Sequence, residues 1–203
     1  MSRKGNKPIS IPNGVNITVT NDMIQVKGSN GTINISYPAE LLAITVDGSN
    51  VNVAIKKVDD KAANIFHGTI SSHIVNAIIG VSKGFFKTLK IVGVGYKASV
   101  SGKKLVLAIG FSHPVELMIP SGLKVVCPVA TQIDISGFNK QEVGQFTAVV
   151  RSIRPPEPYN GKGIMYSDEI LIRKVGKTAE SSAGSTPAAG GAKAGAAKGG
   201  AKK

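Results

Sequence analysis

The chain has 203 residues, enough for one large domain or two small ones, and its 25 Lys and Arg against 12 Asp and Glu leave +13 at neutral pH. With 42% hydrophobic residues, no Trp and 24 Gly, it can build a core of strands and turns but not an aromatic-rich pocket, and the basic excess points to a polyanionic partner. No run approaches the roughly 18 uninterrupted apolar residues of a membrane span, the single cysteine, Cys127, excludes an internal disulfide, and no apolar segment follows the charges of the amino end, so a soluble, cytoplasmic protein is expected.

Period-two alternation dominates the first third. Val15, Ile17 and Val19, then Ile24 and Val26, then Ile33 and Ile35 predict three short strands joined at Asn21-Asp22 and Asn30-Gly31. A hairpin follows, Leu42 to Val46 and Val51 to Ile55 flanking Asp47-Gly48-Ser49-Asn50. From Asp59 the period changes to gaps of three and four, through Ala62, Ile65, Phe66, Ile70, Ile74, Ala77, Ile78 and Val81, which predicts an amphipathic helix. Asp59 or Asp60 caps its start and Lys83-Gly84 ends it.

The same order then recurs. Val94 to Val100, Leu105 to Ile109 and Val115 to Ile119 alternate as strands, with a turn at Ser101-Gly102, and a hairpin joins Leu123 to Cys127 with Gln132 to Ile135. A second helix begins at Asn139, with Glu142 at capping-box spacing, carries Val143, Phe146, Val149, Val150 and Ile153, and stops at Pro155-Pro156. The expected class is therefore α+β: two related small domains, each an antiparallel sheet with a packed helix, spanning residues 1–82 and 83–175. Residues 176–203 hold nine Ala, seven Gly and five Lys with no large apolar side chain, and are expected to be a disordered tail. Without them the body still carries 20 basic against 11 acidic side chains, so it is basic in its own right.

No enzyme constellation emerges. His67, His73, His113 and Cys127 lack metal-site spacing, His67 and His73 are expected at the surface or its boundary, and the acids are scattered, so no cofactor, metal or catalytic residue is predicted. Gly93-Val94-Gly95-Tyr96-Lys97-Ala98 matches a relaxed dinucleotide fingerprint, but the chain continues as strand where that motif needs a helix N-terminus facing the pyrophosphate. A strand with small residues for close backbone approach, or a bulge, is the expectation there.

The segment from Arg151 to Lys174 is different. Arg151 and Arg154, three apart, are expected to share a face near the helix carboxyl end. The prolines then force an extended path away from the core, and Gly161 and Gly163 flank Lys162 so that backbone and ammonium can approach a phosphate. Tyr159 and Tyr166 offer stacking or ribose contacts, and Arg173-Lys174 add charge. Spacing alone suits a solvated loop with incidental charges equally well.

Pro156-Glu157-Pro158-Tyr159-Asn160-Gly161-Lys162-Gly163-Ile164 resembles the signature of the bacterial-type large ribosomal subunit protein six family. The opening Met1 to Ile9, His67-Gly68-Thr69, Gly80 to Gly84, Val92 to Tyr96 and Gly110 to Val115 resemble it in the same order, over residues 1 to about 177; Asn6 and Asn160 stand where the family usually has Lys. The resemblance implies a ribosome-bound, non-enzymatic protein that binds large-subunit rRNA chiefly through its second domain, near where translation factors dock and beside other ribosomal proteins. Carried over by position, it implies rRNA contacts at Arg151, Arg154, Tyr159, Gly161, Lys162, Gly163, Arg173 and Lys174, and further ones at Lys97, Ser112 and His113. Arg3 and Lys4, with Lys7, form an extended basic arm or a frayed terminus. The competing class, suggested by the Ala/Gly/Lys tail, is a sequence-independent DNA-compacting protein.

Overall fold

The structure, a computed structural model, describes residues 2–56 and 60–176. The tail expected to be disordered, and Asp59 as a helix cap, therefore lie outside the described residues apart from Gly176. The first unit contains β1 (Ile9–Ser10), β2 (Asn16–Val19), β3 (Met23–Gly28), β4 (Gly31–Ser36), β5 (Leu42–Asp47), β6 (Asn50–Ile55) and α1 (Lys61–Ser82). The second contains β7 (Phe85–Val92), β8 (Lys97–Ser101), β9 (Lys104–Ala108), β10 (Val115–Met118), β11 (Leu123–Val129), β12 (Gln132–Gly137), α2 (Lys140–Ile153) and β13 (Gly163–Tyr166). The α+β class of two related units is what the alternating and helical periods predict.

Each unit holds two antiparallel sheets rather than one. The meander β2-β3-β4 corresponds to β8-β9-β10, and the sheet β1-β6-β5 corresponds to β7-β12-β11. Two members of that repeat carry weak sequence signals, since β1 is only two residues long and β7 lies in a run punctuated by Lys87 and Lys90. The second unit adds β13 on the far edge of β7, in the register Gly163↔Val92 to Tyr166↔Leu89.

The helices cover these sheets. α1 packs on β3, β4, β5 and β6, and α2 on β7, β12 and β13. Asp60 caps α1 by accepting from the Ala62 N–H at 2.8 Å, and Asn139 caps α2 by accepting from the Gln141 N–H at 3.1 Å. Glu142 meets the side-chain amide of Asn139 at 3.0 Å, a variant of the expected capping box. Counting back from Ile70 by three and four gives His67 and Ala63, and these are the buried residues of the first turns of α1; Ile65 and Phe66, expected in that stripe, face outward. In α2, likewise, Thr147 is buried and Val149 exposed.

Two cores result, one centred on Ile24, Val26, Leu42 and Ile74, the other on Leu89, Leu105, Leu107, Ile133, Ile135 and Ile164. Although α1 is long enough by length and composition to cross a membrane, its apolar side serves the first core. The units meet where the later turns of α1 touch the start of α2, and there Lys140 Nζ donates to Asn76 Oδ1 at 3.1 Å.

His67 is not a boundary residue. Only 2% exposed, it sits 3.0 Å by Nε2 from the Val53 carbonyl, with Gly5 against its ring. A glycine is needed there, because a Cβ on residue 5 would stand 2.4 Å from the imidazole. The expectation fails because burial on a helix follows the stripe, and an imidazole with one backbone partner tolerates the stripe.

Candidate nucleic-acid interface

The polypeptide leaves α2 at Arg154, whose backbone (φ −141°, ψ 83°) is out of the helical region that Pro155 disfavours for the residue before it. From there it does not stay clear of the core, as the prolines alone suggest. Ile164 is fully buried, its N–H donates to the Arg154 carbonyl at 2.8 Å, and Gly161 and Gly163 are buried with it. The segment is a tight loop closed by its own strand: Glu157 N–H donates to the Lys162 carbonyl at 2.9 Å and Gly161 N–H to the Glu157 carbonyl at 3.0 Å.

The two glycines answer to this packing. Gly163 (φ +141°) lies so close to Pro155 that a Cβ would approach its carbonyl oxygen to 2.6 Å, and Gly161 (φ +73°) lies beneath Leu171 and Arg173. Both conformations are ones that L side chains rarely adopt. The close approach they permit is of the chain to itself, and the consequence is that Lys162, held between two buried residues, projects outward.

Arg154 turns away from Arg151, because it has left the helix. Its guanidinium lies over the Phe111 ring at 5.5 Å and the Tyr96 ring at 5.9 Å. The Tyr96 ring is itself wedged between Gly93 and Gly110, where a Cβ would stand 2.5 and 3.0 Å away. The Gly93-Val94-Gly95 segment is thus the turn between β7 and β8, not a continuing strand, and it seats an aromatic platform. Lys97 follows Tyr96, and Ser112 and His113 follow Phe111; all three are exposed, with Ser112 Oγ 3.3 Å from His113 Nδ1. Sequence reasoning does not single out Tyr96 and Phe111 as site residues, although each sits between a glycine and a polar or basic residue.

On the other flank of Arg154, the Pro loop carries Lys162 and Tyr159, the latter 52% exposed. Residues 171–174 run alongside, with Lys174 N–H donating to the Pro158 carbonyl at 2.9 Å and Arg173 over Gly161. Arg154, Lys97, Ser112, His113, Tyr159, Lys162, Arg173 and Lys174 are thereby brought to one continuous region of the second unit. None of its Lys or Arg side chains belongs to an ion pair among the described residues.

Arg151 stands outside that region. It makes a bidentate pair with Glu169, Nε to Oε2 at 2.9 Å and Nη2 to Oε1 at 2.5 Å, and lies over the Tyr166 ring at 5.7 Å. The hydrogen bond from Arg151 holds the Glu169 carboxyl below its ordinary range, and the same bond raises the guanidinium. Tyr166, in β13, is likewise committed, to Arg151 and Lys87. Arg3 and Lys4 are exposed on the first unit, where Gly5 packs on His67 and Ser2 on Gly68.

Among the described residues, no three His, Cys, Asp or Glu side chains cluster as a metal site. Cys127 is partly buried, and burial pushes its thiol up, away from the reactive thiolate.

The family model described as ribosomal protein L6 matches this chain twice in tandem, over residues 11–84 and 92–167. Large ribosomal subunit protein uL6 of Malacoplasma penetrans is 51% identical over 182 residues, covering 90% of this chain and 99% of the relative. The uL6 of Paracidovorax citrulli is 48% identical over 87% of this chain and 99% of its own length. Large ribosomal subunit protein uL6c of Arabidopsis thaliana is 48% identical over 87% of this chain and 78% of its own. A duplicated α+β unit with these matches over both halves belongs to the ribosomal protein L6 family.

Proposed function

We propose that this chain is a non-enzymatic component of the large ribosomal subunit, ribosome-bound in the cytoplasm, that binds and stabilises large-subunit rRNA through its second unit. It acts close to other ribosomal proteins and to the surface where translation factors dock, without cofactor or small-molecule substrate. The two units serve as domains, 1–82 and 83–175, because the two cores share no residue.

The carrying observation is Arg154 over Tyr96 and Phe111, at the centre of a surface that presents Lys97, Lys162, Arg173 and Lys174 without carboxylate partners among the described residues. An arginine held over two rings keeps its planar donors in place, and the lysines around it displace counterions from phosphates. The proline loop and the turns that carry these groups are fixed by backbone hydrogen bonds and close packing, so the surface can select one folded RNA shape over another. Arg151 contributes by holding β13 in place, not by direct contact.

Filter binding at moderate salt tests this, with a large-subunit rRNA fragment against an unrelated folded RNA of equal length. A clear preference for the first, kept after deletion of residues 177–203, is expected. Equal binding to both RNAs overturns the proposal, and loss of binding with the tail points instead to sequence-independent compaction of nucleic acid.

A further inference from the structure

We infer that the groove between β1 and α1 in the first unit is a docking site for an extended, acidic peptide segment of a neighbouring protein, received in the position that β13 holds in the second unit. The repeat is the starting point. Strand for strand, β1-β6-β5 matches β7-β12-β11, and α1 matches α2. In the second unit the outer edge of β7 is paired with β13, which α2 covers and whose Ile164 is fully buried. Among the described residues, no strand pairs with the outer edge of β1.

What lies there is a groove of about 840 Å³. Pro8, Ile9 and Pro12 form one wall, and Val75, Ile78 and Ile79 of α1 form the other. Val75 is 38% and Ile79 40% exposed, an apolar helix face of the kind that α2 buries under β13. The backbone is arranged to match. Ile11 N–H donates to the Ser49 carbonyl at 2.7 Å, and β1 keeps the same register, Ile9↔Val51 and Ser10↔Asn50. Alternation along an antiparallel pair then aims the N–H and C=O of Ser10 outward. Pro8 and Pro12, on the same outward side, have no N–H, so Ser10 is the one outward backbone donor of this stretch and much of a docked strand's hold comes from side chains.

Charge defines the occupant. Lys4, Lys7, Lys83 and Lys140 line the groove, and no Asp or Glu does among the described residues. In the second unit β13 runs on into Asp168 and Glu169, which meet Lys87 and Arg151. An apolar strand followed by acids facing basic groups is therefore the pattern already seated in the equivalent place. The 177–203 tail has five Lys and one Glu, the wrong charge for a lysine rim. The walls offer aliphatic side chains and prolines, with neither an aromatic ring nor an Arg among them, which suits a peptide better than nucleotide bases.

The probe is a fluorescein-labelled peptide with the sequence of residues 162–170, titrated with the full chain. Saturable binding below roughly 1 mM is expected, weakened about tenfold by Val75→Asp and by Ile79→Asp but not by Ile65→Asp, which lies on an exposed part of α1 outside the groove. Thermal unfolding of each variant checks that it folds. No saturation in that range, equal binding of a scrambled peptide, or an affinity unmoved by Val75→Asp and Ile79→Asp would each overturn the proposal. Displacement by a large-subunit rRNA fragment together with that insensitivity would assign the lysines to RNA instead.

Discussion

Arg151 and Glu169 join the last turn of α2 to the segment just beyond β13 by two parallel hydrogen bonds, and Glu169 Oε2 also accepts from the Tyr166 N–H at 3.1 Å. The pair is partly buried, with the side chains 33% and 20% exposed, so it is screened less than a surface ion pair. Glu169→Gln should cost about 1 kcal/mol at neutral pH in urea unfolding. Because the folded-state carboxyl titrates below its ordinary 4.5, its stabilisation is complete above that value and is lost as pH falls through the folded one. The difference between the native chain and Glu169→Gln should therefore narrow as pH falls below 4.5 and close once the folded carboxyl is protonated. A gap independent of pH would mean that the pair is not the cause.

Arg154 and Lys162 should differ from Arg151 in what they affect. Neither is paired to an acid among the described residues, so Lys162→Ala should leave the unfolding midpoint nearly unchanged and Arg154→Ala, which also gives up its place over Tyr96 and Phe111, should lower it modestly, while both weaken rRNA binding. For every phosphate that a substitution leaves without its cation, the slope of log affinity against log salt should fall by roughly 0.7 to 0.9. Arg154→Lys should also weaken binding, since an ammonium over Tyr96 and Phe111 lacks the planar donors. Arg151→Ala should do the reverse, lowering stability first. Salt-dependent binding run beside urea unfolding separates the two patterns.

Ile164 is the anchor of the Pro loop. Truncation to Ala empties a fully buried site between β7 and α2 and should cost about 3 kcal/mol. It should also open the peptide bonds around Lys162 to trypsin, because β13 holds that loop. Resistance equal to the native chain would show that the loop keeps its shape without the strand.

Regular periods make much of this fold legible before any coordinates. Alternation locates the two meanders and both hairpins, and the three-four spacing locates both helices, because burial on one face imposes those periods. Elements whose burial comes from the far side of the chain are not legible. β13 is four residues after a proline loop, and nothing local shows that it completes the sheet of β7. The basic candidates are legible as residue types, but their sorting is not. That Arg151 is spent on Glu169, 18 residues away, while Arg154 rests on Tyr96 and Phe111, depends on contacts made only in three dimensions.

Gly80 shows how the two units are held together. It lies in the last turns of α1, where Ala would ordinarily stabilise a helix by about 1 kcal/mol. Here a Cβ would stand 2.0 Å from the Phe138 carbonyl oxygen and 3.0 Å from the Phe85 ring, both in the second unit. Neither neighbour yields easily: Phe138 immediately precedes the cap of α2, and Phe85 begins β7 and lies under the Lys140 ammonium at 5.7 Å. Gly80→Ala should therefore destabilise the chain despite its helix propensity, and should break the contact of Lys140 with Asn76 by forcing α1 and α2 apart. Calorimetry should show a broadened or split transition as the units uncouple. A single sharp transition at the native temperature or above would mean that the junction relaxes to admit a methyl group, and that the coupling does not depend on this approach.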